Sequence, residues 1–214
     1  ITSIHQIDFE KIRKEKSIIY IQNATSDILY YKPIISLVFE QLFRILTVKL
    51  PEKKDLDLFF LIDEFSSLTL PSIPIFLSNC RKYRIGVALS VQNLSQMANF
   101  YGKENSDTIY SNCITKLFFS GQALNDAVML ESVLGKMEVI DEDGKMRVMP
   151  LMTSENLRTM NPEEAIIVSG SLKPIKVQLT PFYKSFWLKL KTEQKPPVFN
   201  NTDIPEQVPL LPLD

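Results

Sequence analysis

The chain has 214 residues, room for one domain or at most one and a half, and its 45% apolar and 23% charged residues are ordinary for a globular protein. Its 24 Lys and Arg against 25 Asp and Glu leave a net charge of −1, so a general polycation is excluded and nucleic acid would need a local patch. Two cysteines, Cys80 and Cys113, and a single histidine, His5, argue against a zinc constellation, a disulfide framework and His-dependent nucleophilic chemistry, and point to a reducing compartment. No apolar run approaches the ~20 residues that span a bilayer. No secretory signal precedes the first expected strand. The chain opens at Ile1 and reads as a piece of a longer protein.

Ser17 to Gln22 is a short β-branched run and predicts a buried strand. Pro33 suits the first turn of a helix in which Ile35, Phe39, Leu42 and Leu46 recur at helical spacing, ending near Val48 before Pro51. Leu56 to Ile62 predicts a second buried strand, and Ser72 to Tyr83 a helix. Ile85 to Val91 predicts a third strand, followed by a helix from Leu94 to Tyr101 that Gly102 can cap, and another from Ser106 to Cys113. Lys116 to Phe119 predicts strand four, and Asn125 to Leu134 a helix closed by Gly135. Residues 136–147 turn charged and predict a loop or an exposed hairpin. Ala165 to Val168 and Ile175 to Leu179 predict an antiparallel hairpin. The alternation of apolar strands and helices implies an α/β fold, with a parallel sheet covered on both faces. Residues 1–190 are expected to form the folded part, and the proline-rich residues 191–214 a flexible tail.

The sharpest feature is Leu58-Phe59-Phe60-Leu61-Ile62-Asp63-Glu64, five apolar residues ending in two carboxylates. Ligands of parallel sheets sit beyond the carboxyl ends of the strands. There Asp63 would hold Mg²⁺ through water, and Glu64 would orient and deprotonate the water attacking a γ-phosphate, which is the Walker B pattern. The bland alternative is a polar stop after a buried strand. Gln92, at the end of the next strand, has an amide able to donate to a phosphate and accept from that water; equally, it can simply start a turn with Asn93. Arg81 and Arg84 end the intervening helix. There they can compensate the helix dipole, or Arg81 can serve a neighbouring subunit as an arginine finger. A phosphate-binding loop is absent from the sequence: Gly102-Lys103, Gly135-Lys136 and Gly144-Lys145 are followed by Glu104, Met137 and Met146, not by Ser or Thr.

The ordered set Asp63-Glu64, Arg81-Lys82, Gln92, Gln96 and Tyr101-Gly102, in LFFLIDEFSSL and RKYRIGVALSVQNLSQMANFYG, resembles the TraG/TraD-type coupling proteins of conjugation and type IV secretion. RVMPLMTSENLRTMNPEEAIIVSGSLKPIKVQLTPFY is similar to that family's closing stretch, so the likeness covers about Ile7 to Tyr183. Ser67, Pro71, Pro74 and Met97 depart from the family's usual pattern.

The resemblance implies a three-layer RecA-like P-loop NTPase fold with a mostly parallel sheet, seen as its C-terminal half. The phosphate loop and an all-α insertion would lie upstream. It implies a homo-hexameric ATPase using ATP and Mg²⁺, at the cytoplasmic face of the bacterial inner membrane. Its partners would be a single-stranded DNA–relaxase complex, relaxosome accessory proteins and secretion-channel components. Glu64, Gln92 and Arg81 would be its hydrolytic residues, with Asp63, Glu64 and Gln92 at the nucleotide. The 214-residue chain alone is expected to be inactive. The alternatives are the same portion of an FtsK-like DNA pump, or a non-catalytic docking module for relaxosome or channel proteins.

Overall fold

The computed structural model describes residues 9, 11–21, 28–140 and 144–193. Residues 9–179 form one unit, and the described residues 180–193 belong to another. The first contains α1 (Ile28–Leu46), β1 (Leu58–Ile62), α2 (Ile73–Asn79), β2 (Ile85–Leu89), α3 (Leu94–Tyr101), α4 (Lys103–Asn112), β3 (Thr115–Phe119), α5 (Leu124–Leu134), β4 (Lys136–Ile140), β5 (Met146–Pro150), α6 (Ser154–Arg158), β6 (Glu164–Ser169) and β7 (Ile175–Gln178). The second contains α7 (Phe186–Thr192).

β1 and β2 pair in parallel from Leu58↔Ile85 to Ile62↔Leu89. Side chains alternate across a strand, so Ile62 is buried and Phe60 packs on the core while Phe59 and Leu61 are exposed. Beneath β1 the rings of Phe43 from α1 and Phe76 from α2 stack at 3.9 Å, and Phe60 stands edge-on to both. The Glu40 carboxylate of α1 accepts the Ser72 N–H at the start of α2 at 3.2 Å. β3, β6 and β7 form an antiparallel sheet in the order β3-β6-β7. A second, smaller core joins Phe118 and Ile166 of that sheet to Leu130 and Leu134 of α5 and to Leu157 of α6.

The α/β class stands, and several local expectations need correction. Residues 17–21 form no strand, and Ile18 and Tyr20 are exposed; Gln22 lies outside the described residues. An apolar run becomes a strand only where a neighbour takes up its N–H and C=O groups, and none of the described residues does so. Pro33 lies inside α1 and not in its first turn, because the helix begins at Ile28; the ring removes the bond to the Leu29 carbonyl. α1 stops at Leu46, where the Thr47 hydroxyl donates to the Phe43 carbonyl at 2.6 Å.

The helix expected to reach Tyr83 is an α-helix to Asn79 continued by a 3₁₀ turn, Cys80–Tyr83. α4 begins directly after Gly102 rather than at Ser106. The described strands fall into three separate sheets rather than one mostly parallel sheet, and of their four pairings only β1–β2 is parallel. Among the described residues nothing covers the face of the β1–β2 sheet that carries Phe59 and Leu61, so the expected cover on both faces is not seen there. Lys136–Ile140 and Met146–Pro150 pair as β4 and β5, the hairpin alternative. Lys191 and Thr192 complete α7, and residues 194–214 of the expected tail lie outside the described residues, as does His5.

Candidate nucleotide-facing site

β1 ends at Ile62, and the ladder continues past it. The Ser90 N–H donates to the Ile62 carbonyl at 2.9 Å, and the Phe65 N–H to the Ser90 carbonyl at 2.9 Å. Between these two anchors the backbone must turn, and Glu64 takes a left-handed conformation, φ 48 and ψ 41. For a residue with a Cβ this costs about 1–2 kcal/mol, and such strain persists only where the surroundings over-determine it. Phe65 provides that: it is fully buried and stacks on Tyr101. The Tyr101 hydroxyl donates to the Leu68 carbonyl at 3.2 Å and accepts the Leu70 N–H at 3.3 Å. Burial pushes its pKa up to about 12, so it remains a donor at any ordinary pH.

The turn presents Asp63 and Glu64 as exposed carboxylates beyond the C-terminal end of β1. Asp63 Oδ1 accepts the Glu64 N–H at 3.0 Å, and Oδ2 has no partner among the described residues. Gln92 follows β2 on the same side, and its Nε2 donates to Glu64 Oε1 at 2.8 Å. The side chain of Asn93 caps α3 by accepting the Gln96 N–H at 2.7 Å. Ser66 Oγ donates to Gln96 Oε1 at 3.4 Å. Three residues singled out in the sequence, Asp63, Glu64 and Gln92, therefore meet in one constellation.

Arg81 is not part of it. It is exposed in the 3₁₀ turn before β2, beyond the opposite end of that five-residue strand, whose own length is about 16 Å at ~3.3 Å per residue. Its guanidinium has no hydrogen-bond or ion-pair partner among the described residues, while its carbonyl accepts the Arg84 N–H at 3.0 Å. Arg84 is no idle neighbour. Its Nε donates to Asp57 Oδ1 at 2.7 Å, and its two terminal nitrogens donate to the Glu52 carbonyl at 3.0 Å and the Asp55 carbonyl at 2.7 Å. Buried Arg13 reinforces that grip by donating to the Leu56 and Tyr83 carbonyls. Burial lowers the Arg13 pKa, against the pull of Asp55. A hydrogen bond from Lys14 holds the Asp55 carboxyl below the usual range.

Sequence reasoning missed Arg84 as a structural clamp and Asp126, a buried carboxylate of α5 that accepts the Leu94 N–H at 3.2 Å. The signal for Asp126 was its place in the first turn of a helix. Cys80 and Cys113 are free, and burial raises both thiol pKa values, as suits inert cysteines.

Among the described residues no group of three or more His, Cys, Asp or Glu side chains could cage a metal. Mg²⁺ asks less: one or two carboxylates, waters and substrate phosphates suffice, and the open Oδ2 of Asp63 fits that role. A shallow groove of about 290 Å³ lies between α1 and α2, lined by residues such as Glu40, Arg44, Asn79 and Tyr83, and includes none of the constellation.

The carboxylate pair and the glutamine stand at the C-terminal ends of adjacent parallel strands in a RecA-like α/β fold, as the match to a solved structure shows. The chain shares that fold with the plasmid coupling protein TrwB in complex with the non-hydrolysable GTP analogue GDPNP, at a TM-score of 0.64 and 21% identity, over 72% of this chain and 38% of that one. The same protein in complex with ADP and Mg²⁺ gives 0.62 and 22% over the same shares. Residues 1–207 match the family model for Type IV secretory system Conjugative DNA transfer, and the chain belongs to that family. Protein VirD4 of Rhizobium radiobacter is 22% identical over 98% of this chain and 32% of its own length. Protein VirD4 of Rhizobium rhizogenes is 20% identical over 88% of this chain and 30% of its own. The chain thus spans about a third of the length of these curated relatives.

Proposed function

We propose that this chain is the Walker B and sensor portion of a conjugative coupling ATPase, which joins a relaxase-bound single strand of DNA to a type IV secretion channel. The observation that carries this is the 2.8 Å bond from Gln92 Nε2 to Glu64 Oε1. It joins a carboxylate able to act as a base to an amide able to read a phosphate. Glu64 orients the attacking water and takes its proton. Gln92 keeps the carboxylate in place when no nucleotide is present, and its amide turns to the γ-phosphate when one is. Asp63 would hold magnesium through water; when bound, that ion supplies charge neutralisation across the phosphate oxygens. TrwB, which shares the fold, has been seen with ATP and GTP analogues and with ADP and Mg²⁺, which supports a nucleotide here.

The unpartnered guanidinium of Arg81, far from its own constellation, suits a finger for a neighbouring subunit in a hexamer. Membership of the conjugative-transfer family supports relaxosome and channel partners and a place at the cytoplasmic face of the inner membrane. Among the described residues no helix is long and apolar enough to cross a membrane.

Two substitutions in the full-length protein test the assignment. Asp63→Ala should weaken binding of the magnesium–nucleotide complex, and Gln92→Ala should slow hydrolysis while nucleotide affinity is kept. Wild-type affinity in the first and wild-type turnover in the second would remove the reading and leave Asp63 and Glu64 as a polar stop after β1.

A further inference from the structure

We propose that Asp126 is a positioning residue for Gln92, an inference that rests on the phosphate-sensing role proposed above. The Gln92 side chain is exposed, and Glu64 is its one hydrogen-bond partner among the described residues. Its aim therefore depends on the backbone that carries it. That backbone is fixed on one side by the Ser90 ladder and on the other by the start of α3.

The first turn of a helix has four N–H groups with no partner inside the helix. In α3 two of them are answered by side chains. Asn93, the residue after Gln92, accepts from Gln96. Asp126 accepts from Leu94, from 32 residues away in the chain. Only 5% of Asp126 is exposed, and its carboxylate has no ion-pair partner among the described residues. A buried charge is expensive unless it is satisfied, and here the donor is an N–H at a helix N-terminus, where the dipole favours a negative charge. The neighbours of Asp126 on α5, Ala127 and Leu130, are locked in the second core. The carboxylate thus ties the junction that carries Gln92 to a rigid helix that contributes nothing else to the constellation.

The test is a double-mutant cycle in the full-length protein, reading kcat and KM for ATP hydrolysis. Asp126→Ala should lower kcat by about ten-fold or more and leave KM within about two-fold. Asp126→Asn keeps an acceptor oxygen and should recover most of the loss. In a Gln92→Ala background, Asp126→Ala should cost less than about two-fold further. An equal loss in both backgrounds, or no recovery with Asn, overturns the proposal. If Asp126→Ala does not fold, Leu94→Pro removes the donor at a helix position where proline is tolerated and should show the same non-additivity with Gln92→Ala. A Gln92→Ala protein with wild-type turnover would remove the sensor reading itself. A slow Gln92→Ala protein beside an unimpaired Asp126→Ala one removes only the role of Asp126.

Discussion

The rings of Phe65 and Tyr101 lie 5.0 Å apart and only 14° from parallel, so the residue after the carboxylate pair is clamped by the last residue of α3. α3 begins directly after Gln92 and Asn93. One aromatic contact thus closes a loop of structure: β1, the turn at Glu64, the Phe65–Tyr101 stack, α3, and back to Gln92. The left-handed backbone of Glu64 is held inside that loop.

Tyr101→Phe keeps the stack and removes the hydroxyl, leaving the Leu68 carbonyl and the Leu70 N–H without that partner. Chemical denaturation of the 214-residue chain should show a loss of about 1–3 kcal/mol. The hydroxyl also sets an alkaline limit. Its folded pKa, about 12, stands above the ordinary value of 10, because burial disfavours the phenolate. The neutral form therefore contributes stability that is complete below pH 10 and lost as the pH rises toward 12. Thermal melts between those values should fall more steeply for the wild type than for Tyr101→Phe.

Arg84 is left-handed, φ 56, and its guanidinium serves three acceptors. Both Arg84→Ala and Arg84→Gly should destabilise the chain. Glycine should be the milder by about 1 kcal/mol, because it alone adopts that backbone without strain. Alanine as the better-tolerated residue would contradict the backbone described here.

Arg81 should behave in the opposite way. In the isolated chain Arg81→Ala should change stability by less than about 0.5 kcal/mol, since its side chain is exposed and its guanidinium has no hydrogen-bond or ion-pair partner among the described residues. In the full-length assembly it should abolish most hydrolysis while nucleotide binding survives, as fingers contribute roughly 10³–10⁵ in rate. Mixed with Glu64→Gln subunits it should regain some activity, because some interfaces then pair an intact Glu64 with an intact Arg81. A mixture without recovery would argue against a shared site.

The isolated 214-residue chain should not hydrolyse ATP, because none of its Gly-Lys pairs continues into Ser or Thr. Robust turnover by the purified chain, lost on Glu64→Gln, would overturn the claim that the phosphate cradle lies elsewhere.

What could be read before folding follows a physical division. β1 and β2 were legible because Leu58–Ile62 and Ile85–Leu89 are unbroken apolar runs of strand length, and the approach of Gln92 to Glu64 follows once the two strands lie side by side. The helix ends at Gly102 and Gly135 were legible because both glycines take positive φ. Residues 17–21 misled because apolar composition does not supply a ladder partner. The roles of Arg84 and Asp126 were hidden because their acceptors and donor lie 27–32 residues away. The antiparallel direction of β3–β6 was hidden for a similar reason: direction is set by how the chain returns, and no single strand records it.

The most direct test of the Glu64–Gln92 assignment is to measure nucleotide binding and steady-state hydrolysis side by side in full-length Glu64→Gln. The amide keeps the size and shape of the carboxylate and cannot take a proton. The account predicts ATP affinity close to wild type, with hydrolysis reduced to background. Hydrolysis at the wild-type rate with the same affinity would contradict it, and Glu64 would then be a turn residue at the end of β1 and no base.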